Sequence, residues 1–108
     1  MKKSATLAMA AVAAATLTAS GGAWADPQAA MQKAGCLACH SADKKIVGPS
    51  FKDISAKYKG HPEVVATLMA KVRKGGSGVF GPIPMAPNPP EKISDADLKA
   101  AIELILKS

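Results

Sequence analysis

Hydrophobic positions after residue 26 recur with helical spacing, and no stretch shows the apolar–polar alternation of a β-strand. Asp26 and Pro27 predict the cap and first position of a helix that runs through about Lys33. Ser50 predicts the cap of a second helix through about Tyr58. The first half of the chain is therefore predicted to form two short helices joined by a loop.

Two longer helices are predicted in the second half. Pro62 indicates the start of a third helix through Lys74, where the glycine-rich stretch 75–78 stops it. Ser94 predicts the cap of a fourth helix through about Lys107. The stripe that this helix is predicted to bury contains Leu98, Ala101, Ile102 and Ile105. The pattern therefore predicts an all-α fold of about four helices.

Residues 78–90, called the strap below, connect the last two helices. The prolines in it nearly exclude a helix, because each removes a backbone donor and restricts the preceding residue. They are Pro82, Pro84, Pro87, Pro89 and Pro90. The alternative is a disordered linker, but linkers seldom carry apolar side chains such as Val79, Phe80, Ile83 and Met85. An extended segment pinned against the rest of the molecule is the better interpretation.

The first 25 residues have the pattern of an export signal peptide. Lys2 and Lys3 precede an apolar stretch over 5–19, and Ala23 and Ala25 predict cleavage before Asp26. A membrane anchor is the alternative, but the stretch is short and alanine-rich, and no cysteine follows it directly to carry a lipid. We expect residues 1–25 to be removed and residues 26–108 to form the one domain.

Composition indicates that this domain buries something besides its own side chains. The 108-residue chain carries a formal charge of +6, and without its first 25 residues it has 83 residues and a charge of +4. This length excludes a multidomain enzyme. Many of its apolar residues are alanines, and Phe51, Tyr58 and Phe80 are its only aromatic residues. A domain this small usually needs a disulfide, a metal, a cofactor or a partner to be stable.

The motif Cys36-Leu37-Ala38-Cys39-His40 indicates covalent attachment of a c-type haem in an exported protein. Two thiols on one turn can add to the two vinyl groups of the porphyrin. The adjacent imidazole then lies under the iron as the proximal ligand. A buried porphyrin also supplies the missing core.

Three other interpretations of the cysteines are weaker. A Cys36–Cys39 disulfide would close a short, strained loop. A thioredoxin-like redox pair needs βαβ units, and no strand is predicted. A zinc site would need His61 as the fourth ligand beside Cys36, Cys39 and His40, two of which are adjacent in sequence.

The iron needs a sixth ligand or an open position. Met31 and Met69 fall on apolar helix faces, where methionine usually fills the core. His61 lies between a glycine and a proline, in a position typical of an exposed residue. Met85 lies on the strap between prolines, where a stiff chain can present its weakly binding thioether. Met85 is the predicted ligand, although it could instead only pack on the porphyrin.

With these residues in view, the chain resembles the small bacterial class I cytochromes c of the cytochrome c-551/c-552 group. The resemblance covers essentially all of residues 27–107. It depends on the stretches 33–40, 47–49, 51–54 and 78–85. It implies the class I cytochrome c fold, with helices wrapped around one covalent haem c and a proline-rich strap that carries the distal ligand.

The resemblance also implies roles for single residues. His40 and Met85 would be the axial iron ligands, and the Pro49 carbonyl would accept the other ring N–H of His40. Asn88 matches a position whose side chain contacts the methionine sulfur. Lys71 matches a position that is often arginine and that approaches a haem propionate, although lysine lacks the bidentate fork.

A second departure from the family concerns residue 80. Relatives commonly have tryptophan there, whose indole donates to a propionate, and Phe80 cannot donate. Both departures change the expected solvation of the propionates and leave the axial ligands untouched.

Ligation by His40 and Met85 would leave no vacant iron site, so the implied function is electron transfer and not catalysis. We expect a monomeric periplasmic shuttle between partners such as a quinol-oxidising complex and a nitrite reductase or terminal oxidase. Several lysines flank the haem motif and would steer the protein to acidic partners. This basic cluster consists of Lys33, Lys44, Lys45, Lys52, Lys57 and Lys59.

Two other functions remain open at the level of sequence. Dissociation of Met85 would give a haem enzyme or a gas sensor, although no distal histidine or arginine is available near Met85 to activate a bound ligand. The chain could also be a fixed haem subunit of a larger respiratory complex.

Overall fold

The structure, a computed structural model, describes residues 26–108, and the predicted signal peptide and cleavage site precede them. The helices in this range are α1 (Pro27–Ala34), α2 (Phe51–Tyr58), α3 (Val64–Lys74) and α4 (Asp95–Ile105), with a 3-10 turn at Cys36–Ala38. Within residues 26–108 there is no β-strand, and only two isolated bridges form, between His40 and Lys45 and between Gly76 and Met85. The predicted all-α fold is confirmed.

Local side-chain chemistry starts the helices where the sequence predicts. The Asp26 carboxylate accepts a hydrogen bond from the backbone N–H of Gln28 at 3.1 Å. The Ser50 hydroxyl accepts from the N–H of Asp53 at 3.0 Å, and the Ser94 hydroxyl caps α4 in the same way. Each cap satisfies one of the donors that a helix N-terminus leaves unpaired.

The start of α3 differs from the prediction. The helix begins at Val64 and not at Pro62, because residues 61–65 form a tighter turn first. The N–H groups of Val64 and Val65 bond three residues back, to the carbonyls of His61 and Pro62, at 3.1 and 3.4 Å. Hydrogen bonds from its own backbone N–H and from the His61 ring lower the pKa of the Glu63 carboxyl. These local bonds stabilise the turn in place of a first helical turn.

Helix α4 lies at the centre of the packing, with α1, α2 and α3 against it. Seven apolar side chains form the buried core, namely Met31, Ala34, Phe51, Ile93, Leu98, Ala101 and Ile102. Cys36 and Leu37 pack against this core, which ties the cysteine motif to it. On the other side, the buried Ser55 hydroxyl donates to the Leu106 carbonyl at 2.8 Å and joins α2 to the end of α4.

The apolar face of α3 is only partly covered. No residue of this helix is fully buried, although five apolar side chains recur along it at the predicted spacing. They are Val64, Val65, Leu68, Met69 and Val72. Apolar side chains of two loops are also exposed, and these are Ile46, Val47, Val79, Phe80 and Ile83. A chain with so small a core thus leaves much of its apolar surface available for a further apolar group.

None of the helices in residues 26–108 has the length and apolar character needed to cross a membrane.

Candidate functional site

The 3-10 turn brings Cys36, Cys39 and His40 together. The N–H groups of Cys39 and His40 both bond to the Cys36 carbonyl, at 3.2 and 3.0 Å, so the motif is wound into one tight turn. Gly35 allows this turn to follow α1 directly, because it adopts a left-handed conformation with φ of 84°. Both cysteines are free and half-buried thiols.

Burial raises the pKa of the Cys36 thiol, and the neighbouring Cys39 adds to that rise. Catalytic redox motifs of this spacing instead have a lowered thiol pKa, which supplies the reactive thiolate. The environment of Cys36 shows no such lowering of the thiol pKa.

The His40 ring is oriented by a backbone carbonyl. Its Nδ1 lies 2.7 Å from the carbonyl oxygen of Pro49. A carbonyl only accepts, so Nδ1 carries the proton and donates it to Pro49. The neutral ring then has its lone pair on Nε2, which is the atom that can bind a metal.

The same imidazole is packed closely by its neighbours. It stacks on the Phe51 ring, with the ring centroids 5.6 Å apart and the planes 21° apart. Gly48 approaches it so closely that a Cβ there would lie 2.6 Å from the Cε1 atom of His40. The Gly48 N–H also donates to the Cys39 carbonyl at 2.8 Å, which closes the loop between the motif and α2. Spacing and motif did not predict this contact of Gly48, because it forms between residues eight positions apart.

Met85 is held by the end of α3. Met85 and Gly76 exchange two backbone hydrogen bonds, both of 2.9 Å. A Cβ on Gly75 would overlap the Met85 carbonyl oxygen, so only glycine allows the strap to approach α3 this closely. The Met85 side chain is half-buried. The strap is therefore extended and anchored, as predicted, and is not a free linker.

Asn88 is the second anchor of the strap. It is 9% exposed, and its backbone N–H donates to the Val72 carbonyl at 3.0 Å. Its side-chain amide donates to the Ala86 carbonyl at 3.0 Å and, more weakly, to Val72 at 3.4 Å. These bonds stabilise the fold of the strap, and contact of Asn88 with the Met85 sulfur remains a prediction.

Sequence reasoning missed Arg73. Its side chain is only 19% exposed, and its guanidinium bonds to the carbonyls of Asn88 and Ile93 and to the Asp95 carboxylate. An arginine next to Lys74 on a helix is usually a solvated surface residue, and nothing in the local pattern distinguishes the two.

One lysine lies beside the end of α3, and another approaches the strap. The Lys71 ammonium lies beside Gly76, 3.3 Å from where a Cβ of that residue would be. The Lys57 ammonium lies over the Phe80 ring at 5.6 Å and over the Tyr58 ring at 5.9 Å. Cation–π attraction of this kind links α2 to the strap. The approach of Lys71 to a propionate remains a prediction.

The predicted site residues thus form two sets, one around the cysteine motif and one around the strap, and no hydrogen bond among residues 26–108 joins them. The first set offers two free thiols and the Nε2 atom of His40. The partly covered face of α3 and the exposed side chains Val79, Phe80 and Ile83 add apolar surface. Thiols, one imidazole and a broad apolar lining are the chemistry that a covalently attached haem needs.

A zinc site fits less well. In the part of the chain that the structure describes, no group of three or more histidine, cysteine or acidic side chains is placed to hold a metal ion. His61 instead pairs with Glu63 at 2.9 Å, with both side chains exposed.

Comparison with known proteins decides the family. The sequence model of the cytochrome c family matches residues 24–108. This chain belongs to the cytochrome c family. Its members are electron-transfer haem proteins, so the cofactor is a covalently bound haem c. The expectation of a haem protein, as opposed to a zinc or thiol protein, is confirmed.

Individual relatives confirm the resemblance to the small bacterial members. The chain is 49% identical to cytochrome c2 of Rubrivivax gelatinosus over 84 residues, which are 78% of this chain and 99% of that protein. It is 50% identical to cytochrome c-551 of Azotobacter vinelandii over 67% of this chain and 84% of the relative. The crystal structure of wild-type cytochrome c552 of Nitrosomonas europaea superposes with a TM-score of 0.67 at 44% identity, covering 74% of this chain and 96% of that one. The class I cytochrome c fold is confirmed.

Proposed function

We propose that this cytochrome c is a soluble, monomeric electron shuttle of the periplasm whose iron is ligated by His40 and Met85. The observation that carries the proposal is the short bond from the His40 Nδ1–H to the Pro49 carbonyl, which leaves Nε2 available as a ligand. The haem supplies a one-electron iron couple when bound. The protein's own contribution is to hold two ligands rigidly and to exclude other molecules from the iron.

Rigid presentation of both ligands is what electron transfer requires of the chain. His40 is fixed by Pro49, Phe51 and Gly48. Met85 is fixed by its pairing with Gly76. A thioether is a weak ligand, so a chain that is already ordered lowers the entropic cost of keeping it bound. With both positions filled, the iron has no vacant site for a substrate, and this supports a carrier in preference to an enzyme.

A pair of methionine substitutions tests this ligation. We expect Met85→Leu to remove the weak far-red iron–thioether band, to open the iron to carbon monoxide and to lower the reduction potential, since methionine favours the reduced iron. Met69→Leu changes another half-buried methionine in the same way and is expected to keep the band. Optical spectra of both variants, with and without the gas, make the measurement. Loss of the band in Met69→Leu and its retention in Met85→Leu would contradict the proposal.

The basic cluster supports acidic redox partners. All six of its lysines are exposed, and none of them takes part in an ion pair found among residues 26–108. Free positive charge on both sides of the haem motif would speed encounters with acidic proteins through small, salt-sensitive contacts. We therefore propose acidic partners, such as a quinol-oxidising complex as donor and a nitrite reductase or terminal oxidase as acceptor.

Export is the remaining part of the proposal. The pattern of residues 1–25 supports a signal peptide that is removed before Asp26. The mass of the mature protein from the periplasmic fraction tests this, and a protein that retains residues 1–25 would favour a membrane-attached haem subunit.

A further inference from the structure

We propose that Arg73 is a positioning residue that keeps Met85 on the iron. It does so by closing the base of the turn over residues 89–92, at the end of the strap. The proposal depends on the ligation by Met85 proposed above and adds the residue that maintains it. Arg73 lies in the last turn of α3, and its guanidinium reaches two backbone carbonyls and one carboxylate.

The geometry of the guanidinium matches these three acceptors. One terminal nitrogen, with its two N–H groups, donates to the Asn88 carbonyl at 3.1 Å and to the Ile93 carbonyl at 2.8 Å. The other donates to the Asp95 carboxylate at 2.5 Å. A planar fork with five donors can make all three bonds at once. The bonds are charge-assisted, and four-fifths of the arginine side chain is shielded from solvent.

The two carbonyls belong to the residues that flank the segment 89–92. This segment begins with two prolines, which have no N–H to donate, and the one hydrogen bond within it runs from the Lys92 N–H to the Pro89 carbonyl at 2.9 Å. The Asn88 and Ile93 carbonyls therefore rely on a donor from outside the segment. Arg73 supplies it to both and so fixes the distance across the turn.

The link from this turn to Met85 is short. Asn88 is three residues after Met85 and is bound to Val72 by its backbone N–H, while Arg73 binds its carbonyl. Gly76 holds Met85 itself by two bonds. The end of α3 thus holds the strap at two points, and Met85 lies between the free part of the strap and the Arg73 anchor. Loss of the Arg73 bonds leaves the Gly76 pair and the Asn88–Val72 bond to resist movement of Met85 away from the iron.

Cyanide binding to the oxidised haem protein measures this movement, because cyanide can bind only when Met85 has left the iron. We expect Arg73→Ala to bind cyanide about tenfold faster than the wild type, since the open state becomes more populated. Arg73→Lys keeps the charge but lacks the fork, and we expect an intermediate rate. It also keeps the test valid if Arg73→Ala does not fold.

Two control variants separate positioning from general effects. Lys74→Ala removes a positive charge from the adjacent exposed position and is expected to bind cyanide within about twofold of the wild-type rate. Ser55→Ala removes the buried bond between α2 and Leu106, which involves no residue of the strap. We expect it to lower the melting temperature without changing the cyanide rate.

The outcomes are distinguishable. If the wild type shows the far-red band and Arg73→Ala binds cyanide at the wild-type rate, the role of Arg73 is overturned. The ligation by Met85 is then left intact. Equal acceleration in Ser55→Ala at a matched loss of stability also overturns it, because global loosening would then explain the effect. A wild type without the band overturns the proposed ligation and this inference together.

Discussion

At the scale of single residues, the orientation of the His40 ring depends on its neighbours more than on its own position in the motif. The Pro49 carbonyl accepts a hydrogen bond from the Nδ1–H of the ring, Phe51 stacks on the ring, and Gly48 leaves room for it. Only the first of these contacts was expected from sequence, and only through the family resemblance. Stacking and close approach join parts of the chain that local patterns do not relate.

Gly48 provides the residue-scale prediction. In Gly48→Ala the new methyl group would lie 2.6 Å from the imidazole, so the ring must shift and the bond to Pro49 must weaken. We expect a loss of about 1–3 kcal/mol in the free energy of unfolding, as for other overpacked sites. We also expect the oxidised visible spectrum to change, because His40, the proposed proximal ligand, moves.

The matched control is Gly60→Ala. Gly60 has a positive φ of 81°, so alanine is strained there, but nothing lies within 4 Å of the added carbon. We expect a comparable stability loss with an unchanged spectrum. The account of Gly48 fails if the two variants have the same spectrum.

At the scale of elements, the junction between α3 and the strap determines where Met85, the proposed distal ligand, lies. Gly75 ends α3, and its backbone then passes against Met85 and Ala86. The strap is thus held in place by its contacts with the end of α3. Its prolines lack the N–H groups that would form hydrogen bonds within the strap.

Gly75 provides the element-scale prediction. In Gly75→Ala the added carbon overlaps the Met85 carbonyl, so the strap must move away from α3. We expect weakening of the far-red band and a destabilisation of about 1–3 kcal/mol, measured by optical spectra and thermal unfolding. Gly78→Ala is the control, because Gly78 also has a positive φ of 111° but has open space around the added carbon. An unchanged band in Gly75→Ala would show that the strap is not held there.

The helices and their caps were the part of this structure that the sequence predicted best. Caps at Asp26, Ser50 and Ser94 depend on side chains within three residues, and all three form as predicted. The predicted start of α3 was wrong by two residues, because the turn at Pro62 and Glu63 forms a competing set of local bonds. The bonds of Arg73 span 15 to 22 residues, and a helical period contains no information about them.

At the scale of the whole molecule, the domain's own hydrophobic core is too small to stabilise the fold by itself. Seven apolar residues are buried, and α3 contributes none of them. The covalent haem that the cytochrome c family implies would supply an apolar body for the half-buried side chains of α3 to pack against.

We therefore predict that the fold depends on the haem. A Cys36→Ala/Cys39→Ala protein purified without haem is expected to lose most of the helical circular-dichroism signal and its cooperative melting. Holoprotein Ser55→Ala, which keeps both cysteines, is expected to retain both features. A haem-free protein that melts cooperatively with the native helical signal would contradict this prediction.

Charge is the second whole-molecule property. Electron transfer to an acidic partner is expected to slow by about tenfold or more as ionic strength rises from low to high values, because salt screens the basic cluster. Lys45→Gln is expected to reduce the rate at low salt. Lys99→Gln on α4, where the lysine lies beside Glu103, is expected to leave it unchanged. Stopped-flow kinetics across a salt series make the measurement, and a rate independent of salt would exclude electrostatic steering.

The central claim is that His40 and Met85 both bind the iron and leave it closed. The most direct test is an optical spectrum of the wild-type protein, oxidised and reduced, with and without carbon monoxide. We predict a c-type spectrum with the far-red iron–thioether band, unchanged by the gas. A c-type spectrum that lacks the band and shifts with carbon monoxide would show an open iron, and the protein would then be a ligand-binding haem protein in place of a closed electron carrier.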